Sequence, residues 1–316
     1  MLKIVTIGGG NGQSITLRAL KNFSDQIEIT SIVSVTDSGG SSGKLKKQFQ
    51  ILPMGDMLRV TLALSSYSFA ELKEIFYTNR FTTGEFQGHN IGNLLLTFLY
   101  QQSGNWLKTL SVLSEVLKTK GKVLPVSLDL VELCAKLENG QTVVGETNID
   151  IPKFDCRLKK EKMWLDPVAQ ILPEAKEAIL QADYIILGPG DLYTSVIPGL
   201  LTIGMSEALL QTKAKIIFIP NLANRTKGET CGFKVSGYLQ ELHQYLPRPV
   251  DLIIAQDVKF KLSLDNFAAK DWEVVQIDEG SWQKQYQVVY ADLCVGQKAG
   301  MDCQKLAIPL RKILGL

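Results

Sequence analysis

Histidine is scarce in this chain, cysteine is odd in number, and neither sign of charge dominates. The 316 residues include two histidines, His89 and His243, far apart and outside any H-E-x-x-H pattern. The five cysteines (Cys134, Cys156, Cys231, Cys294 and Cys303) include no C-x-x-C pair. These absences leave no transition-metal signature. An odd count without paired spacing reads as a reduced, cytoplasmic chain rather than a disulfide scaffold. Basic residues number 34 against 32 acidic ones. That balance, with no basic block and no RNA-reading aromatic motif, excludes a nucleic-acid footprint. The short run Arg157–Lys162 contains Glu161 and reads as a solvated face. No apolar run approaches the roughly 20 residues of a membrane span, and the chain opens on a strand, not an export leader. Repeats, low-complexity tracts and Gly/Ser/Pro linkers are also missing, so one compact domain over 1–316 is expected.

What is present is a 45% apolar composition, enough for a large core, and glycine-rich loops at the ends of apolar strands. Gly8-Gly9-Gly10-Asn11-Gly12 follows Leu2–Ile7. Asp37-Ser38-Gly39-Gly40-Ser41-Ser42-Gly43 follows Ile29–Val35. Glycine lets backbone N–H groups approach an anion unobstructed, and a following helix adds its positive end. Two such loops on neighbouring strands predict a crevice for a phosphorylated ligand. Neither loop is a complete fingerprint. The first lacks the last glycine of G-x-G-x-x-G, and the second lacks the glycine and hydroxyl that a P-loop needs at Ser38 and Leu45. An ATPase of that class is excluded, and the second loop reads as a polar nest.

Strand and helix signals alternate, predicting an α/β, doubly wound, mainly parallel sheet. Strands are expected at 2–7, 28–35, 184–187, 215–219 and 250–254. Helices are expected near 13–22, 56–66, 69–78, 91–102, 106–118, 173–181, 198–210 and 303–313. Strand-like segments at 122–126, 130–136 and 141–145, the last two joined by a type I′ signal at Asn139-Gly140, predict an inserted antiparallel hairpin region near 121–166. The stretch 258–295 reads as less regular.

Further loops carry candidate ligand contacts. Gly188-Pro189-Gly190-Asp191-Leu192-Tyr193-Thr194-Ser195 ends a strand and enters a helix. Thr194 or Ser195 fits a helix cap; Gly188, Gly190 and Thr194 equally fit a phosphate or sugar contact, and Tyr193 fits either stacking on a ligand or packing beneath the loop. His89, Asn90 and Asn93 open another helix among glycines. Asp56 fits either an N-cap or a ligand role, and with Asp37 could hold magnesium on a diphosphate. Asn221, Glu229 and Thr230 lie in a fourth polar loop. No G-x-S-x-G elbow supports a hydrolase.

The runs Ile4–Gly12, Val35–Leu45, Leu52–Leu64, Gly88–Leu96 and Gly188–Pro198, with 121–125, Val144-Gly145-Glu146-Thr147 and Gly228-Glu229-Thr230, resemble one family over about residues 3–240. It is the gluconeogenesis-factor (YvcK-type) branch of the CofD-like, 2-phospho-L-lactate transferase family. The resemblance implies a Rossmann-like fold with a nucleotide between the loops, and a homodimer. It further implies a cytoplasmic UDP-sugar-binding regulator tied to gluconeogenic growth, cell shape and protein partners in cell-wall regulation. The sister branch transfers a phospholactyl group from a nucleotide-activated donor, so a metal-assisted phospho-group transferase is the alternative; a scaffold that has lost its ligand is a third reading. The chain departs from the family pattern at several points. Asp37-Ser38 stands for two acids, Leu58 for an arginine with Arg59 one residue later, Asn11 for a threonine and Asp191 for a serine, and 221–227 is altered. One step along a helix is about a 100° turn, so Arg59 need not reach the same ligand.

Overall fold

The computed structural model describes residues 1–260, 262–278, 280, 282–295 and 299–316; Lys261, Glu279 and Ser281, within the stretch read as less regular, lie outside it. Twelve strands are present among the described residues: β1 Leu2–Gly8, β2 Ile27–Val33, β3 Lys122–Pro125, β4 Glu132–Leu137, β5 Thr142–Val144, β6 Lys160–Asp166, β7 Tyr184–Leu187, β8 Lys215–Phe218, β9 Ala223–Arg225, β10 Leu252–Gln256, β11 Trp272–Val274 and β12 Gln287–Ala291. Seven form one sheet in the order β12-β10-β8-β7-β1-β2-β3, and every neighbouring pair is parallel. This is the expected Rossmann-like doubly wound sheet. Its central strands are rich in apolar residues because helices cover both faces; Ile4, Ile7, Ile32, Ile185, Ile186, Ile216 and Ile217 are all buried. The chain winds outward from β1 through β2 to β3, then returns to β7 on the other side of β1. The switch point between β1 and β7 is where such sheets open a crevice.

Helix α1 (Gly10–Leu20) starts directly after β1. Its buried Gln13 amide donates to Thr6 O at 3.2 Å and Ile32 O at 3.0 Å, tying the helix to both strands. Helix α2 (Gly40–Phe49) was not foreseen, because its two glycines lower intrinsic helix propensity. Packing makes one of those glycines necessary: a Cβ on Gly43 would lie 2.0 Å from Ser38 O. Helix α3 (Gly55–Leu64) packs against α1.

The antiparallel excursion is present as a three-stranded sheet, β5-β4-β6. Its hairpin differs from the expected type I′ turn. Gly140 (φ 86°) has positive φ while Asn139 does not, and Leu137 N donates to Gln141 O across a three-residue loop, a form with glycine in the left-handed position. Strand β6 runs through part of the basic cluster read as solvated. Lys160 is buried and donates to Glu229 O at 2.8 Å, a partner 69 residues away. The expected helix 198–210 is two pieces, Ile197–Leu200 and Met205–Gln211, separated by Gly204 at φ 91°.

One correction concerns cysteine. Cys156, on the excursion, is disulfide-bonded to Cys231, with Cα atoms 6.1 Å apart across a sequence separation of 75. The pairing has no local sequence signal, because the fold alone sets a loop of the excursion against the turn after Thr230. No helix among the described residues is long and apolar enough to cross a membrane.

Candidate functional site

Loops from both sides of the switch point meet around one open cleft of about 440 Å³ at the carboxyl edge of the sheet. The turn after β1 contributes Gly9, Gly10, Asn11 and Gly12; the segment after β2 contributes Asp37; α3 contributes Asp56 and Arg59. The loop after β7 contributes Gly190, Asp191, Thr194 and Ser195, and the one after β8 contributes Asn221, Glu229 and Thr230. The excursion reaches in with Glu146 and Asp150.

The structure divides the sequence-derived candidates. Gly8 ends β1 behind the cleft, its carbonyl accepting Ser34 N. Gly12 lines the cleft, but close packing explains the glycine there, since a Cβ would lie 2.1 Å from Pro189 O. Among the residues of the second glycine loop Asp37 lines the cleft and 38–43 stand behind it, the Ser42 side chain hydrogen-bonding Asp37. Ser38 Oγ accepts Thr147 N at 3.1 Å, and Gly39 N donates to Asp37 Oδ1 at 2.9 Å. Gly40 takes a positive φ of 48° where the chain enters α2. Ser41 Oγ pairs with His89 Nδ1 at 2.9 Å, Ser42 Oγ accepts Gly55 N at 2.8 Å, and Gly43 N closes the first turn on Gly39 O. Asn90 caps helix Ile91–Ser103 by accepting Asn93 N at 2.7 Å. At Gly188 close packing explains the glycine, since a Cβ there would lie 2.5 Å from Ile219 O. Tyr193 is buried beneath that loop, edge-on to Phe233, with Lys160 Nζ 4.8 Å from its ring centre. Asp56 sits in the first turn of α3, one residue past its start, and is not its cap.

Arg59, displaced by one residue from the family's arginine position, lines the cleft beside Asp56. Its guanidinium lies 4.0 Å from the Tyr77 ring centre, and its buried Nε has no hydrogen-bond partner among the described residues. Leu58 is fully buried instead, packed where Gly92 has no Cβ. Asp56 and Arg59 are three apart on one helix, hence neighbours on its face; that spacing was the available signal. Tyr77 and Asp150 carry no local signal, and Glu146 had stood out only through resemblance.

Electrostatically the cleft is unusual for a phosphate site. Its lining carries six carboxylates (Asp37, Asp56, Glu146, Asp150, Asp191 and Glu229) against the two guanidinium groups of Arg59 and Arg225. Several of these acids keep a face open to the cleft but are otherwise surrounded by protein. Burial, then the charge of Asp37, pushes the Asp56 carboxyl up to about 7, although Arg59 and the Gly10 amide oppose this. Burial also raises Asp37. Glu146 is pushed up to about 8 by burial and by Asp37 and Asp150. Asp191 rises to about 6 through burial and the charge of Asp150, and burial lifts Glu229 well above the carboxylate range. Such clustering of perturbed acids is typical of functional sites. Among the described residues no three His, Cys, Asp or Glu side chains could hold a metal by themselves.

Fold and cleft together define a Rossmann-like α/β protein with a crevice at its topological switch point. Residues 4–294 match the family described as 2-phospho-L-lactate transferase CofD, and the chain belongs to that CofD family. It is 40% identical to a Thermotoga maritima protein over 319 residues, spanning 99% of each chain. It is 35% identical to the gluconeogenesis factor of Bacillus subtilis, covering 87% of both chains. A crystal structure of a UPF0052 family member (BH3568) from Bacillus halodurans superposes with a TM-score of 0.88 at 35% identity, covering 98% of this chain and 99% of that one.

Proposed function

We propose that this protein is a cytoplasmic nucleotide-sugar-binding regulator of the gluconeogenesis-factor type, acting through protein partners and linked to cell shape and cell-wall regulation. The observation that carries the reading is the meeting of the β1, β7 and β8 loops at one switch-point cleft. There Arg59 offers a diphosphate positive charge, and the Gly9–Asn11 turn brings backbone close to it, with the Gly10 amide held by the Asp56 carboxylate. The names of the similar proteins supply the link to gluconeogenesis. Calorimetry with UDP-N-acetylglucosamine and UDP-glucose, with magnesium present, tests it. Binding of either supports the reading, and silence from a folded sample refutes it.

The paired acids favour magnesium as a companion. Asp37 and Asp56 repel one another in a buried setting, so a divalent cation would relieve the repulsion, and magnesium characteristically takes one or two carboxylates and completes its shell with water and phosphate oxygens. Bound there, it would neutralise charge on a diphosphate. The same pair supports the second reading, a phospho-group transferase. Turnover of a nucleoside-diphosphate-linked donor that stops in Asp37→Asn while donor binding persists would establish it.

A further inference from the structure

Five of the six acids of the cleft fall on two sides, with Glu146 between them, raised by both Asp37 and Asp150. Asp37 and Asp56 belong to the β2 and α3 side with Arg59. Asp191 and Glu229 follow β7 and β8, and Asp150 joins them from the excursion. On this second side, Glu229 is 2% exposed yet lines the cleft. Its Oε1 accepts the Tyr193 amide at 2.8 Å and the Thr194 side chain interacts with the carboxyl group, while its buried Oε2 makes no close hydrogen bond among the described residues. A buried oxygen left unanswered at the wall of a cleft calls for a hydrogen-bonding group from outside the chain.

The chemistry of that group follows by exclusion. An anion is disfavoured by three carboxyl groups sharing one guanidinium, Arg225, which is already committed to Asp150 at 2.8 Å. A metal ion is disfavoured because the Arg225 guanidinium already stands on Asp150 and supplies positive charge on this side. Within a nucleotide-sugar ligand, the neutral hydroxyls, which both donate and accept, are the groups left for this wall. The wall is also preorganised. The Asn221 side chain accepts Gly190 N at 2.9 Å and hydrogen-bonds Asp191, fixing the loop that presents it. Lys160 holds the Glu229 carbonyl from behind.

We propose that the Asp150–Asp191–Glu229 wall is a hydroxyl-binding subsite for the glycosyl portion of the ligand, with the phosphates lying toward Gly9–Asn11 and Arg59. This rests on the nucleotide-sugar reading and assigns an orientation within it. Asp191 is the group to perturb, because Glu229 also holds the Tyr193 backbone.

Calorimetry on the intact protein with UDP and with UDP-glucose, each with magnesium, provides the test. The wild type is expected to bind UDP-glucose more tightly than UDP. Asp191→Ala should weaken UDP-glucose by about tenfold or more, the size of a lost hydrogen bond to a charged group, and change UDP by less than about twofold. Asp191→Asn, which keeps the shape and one acceptor, should lose less in the same direction. Retained UDP affinity reports that each variant is folded. Equal losses for both ligands, or no loss for either, overturn the subsite. Equal wild-type affinity for both ligands overturns it too, while leaving nucleotide binding intact. A wild type that binds neither overturns the nucleotide-sugar reading and the subsite with it.

Discussion

Asp56→Asn should make the protein more stable at alkaline pH and flatten its dependence on pH. The Asp56 carboxyl titrates near 3.8 when unfolded and is pushed up to about 7 in the fold. Between those values the native state binds a proton that the unfolded state has released, so stability falls as pH rises. This contribution is fully present below the unfolded value and is lost as pH climbs through the folded one. From about pH 5 to about pH 8 the loss for one such group amounts to roughly 2.5 kcal/mol as an upper bound, about half of that once water in the open cleft screens it. Asparagine has no proton to lose, keeps an oxygen for the Gly10 amide, and removes the repulsion felt by Asp37. Urea unfolding of wild type and variant at several pH values, with chelator present, gives the two slopes. The variant should match the wild type near pH 5 and exceed it by about 1–2.5 kcal/mol near pH 8. Parallel curves, or a variant weaker at pH 8, would refute the picture of a carboxylate buried without enough positive charge. Magnesium should flatten the wild-type curve and leave the variant's less affected, since a cation favours the ionised acids.

Other perturbations test other parts of the argument. Gly12→Ala should cost about 2 kcal/mol or more, because the new methyl group meets the Pro189 carbonyl at 2.1 Å and the helix must shift; a thermal melt checks it. Reducing the Cys156–Cys231 disulfide, which closes a separation of 75 residues, should lower stability by up to about 4 kcal/mol, and Cys156→Ser should abolish the response of the melt to dithiothreitol. Arg59→Ala should weaken UDP binding by about tenfold or more, through loss of a charged donor beside the Gly10 turn; unchanged affinity in calorimetry would remove Arg59 from the site. Leu58→Arg should abolish soluble expression, since that position is fully enclosed and faces Gly92.

The sheet was readable because its strands are apolar runs flanked by turn residues, and parallel strands covered on both faces require such runs. The β1, β7 and β8 loops were readable for the same reason: each begins where a run stops. The hairpin at Asn139-Gly140 announced itself, though not its turn type, which depends on how many residues the register of β4 against β5 leaves over. Helix α2 was hidden because propensity counts its glycines against it, while a carbonyl beside Gly43 demands one. Strand β6 was hidden behind lysines, one of which turns inward to a carbonyl on a distant loop.

The order of elements, and the expectation of a crevice between glycine turns, were already written in residues close together along the chain, where hydrophobic period and turn chemistry act locally. Which turns share the crevice was not. The fold alone paired Ser41 with His89 and set Ser42 behind Asp37, sank Tyr193 beneath the cleft and brought Asp56, Arg59, Glu146 and Asp150 to it. Those placements depend on helix phase and on contacts between residues far apart in the chain, such as Arg225 with Asp150, 75 positions away, and no local pattern encodes either.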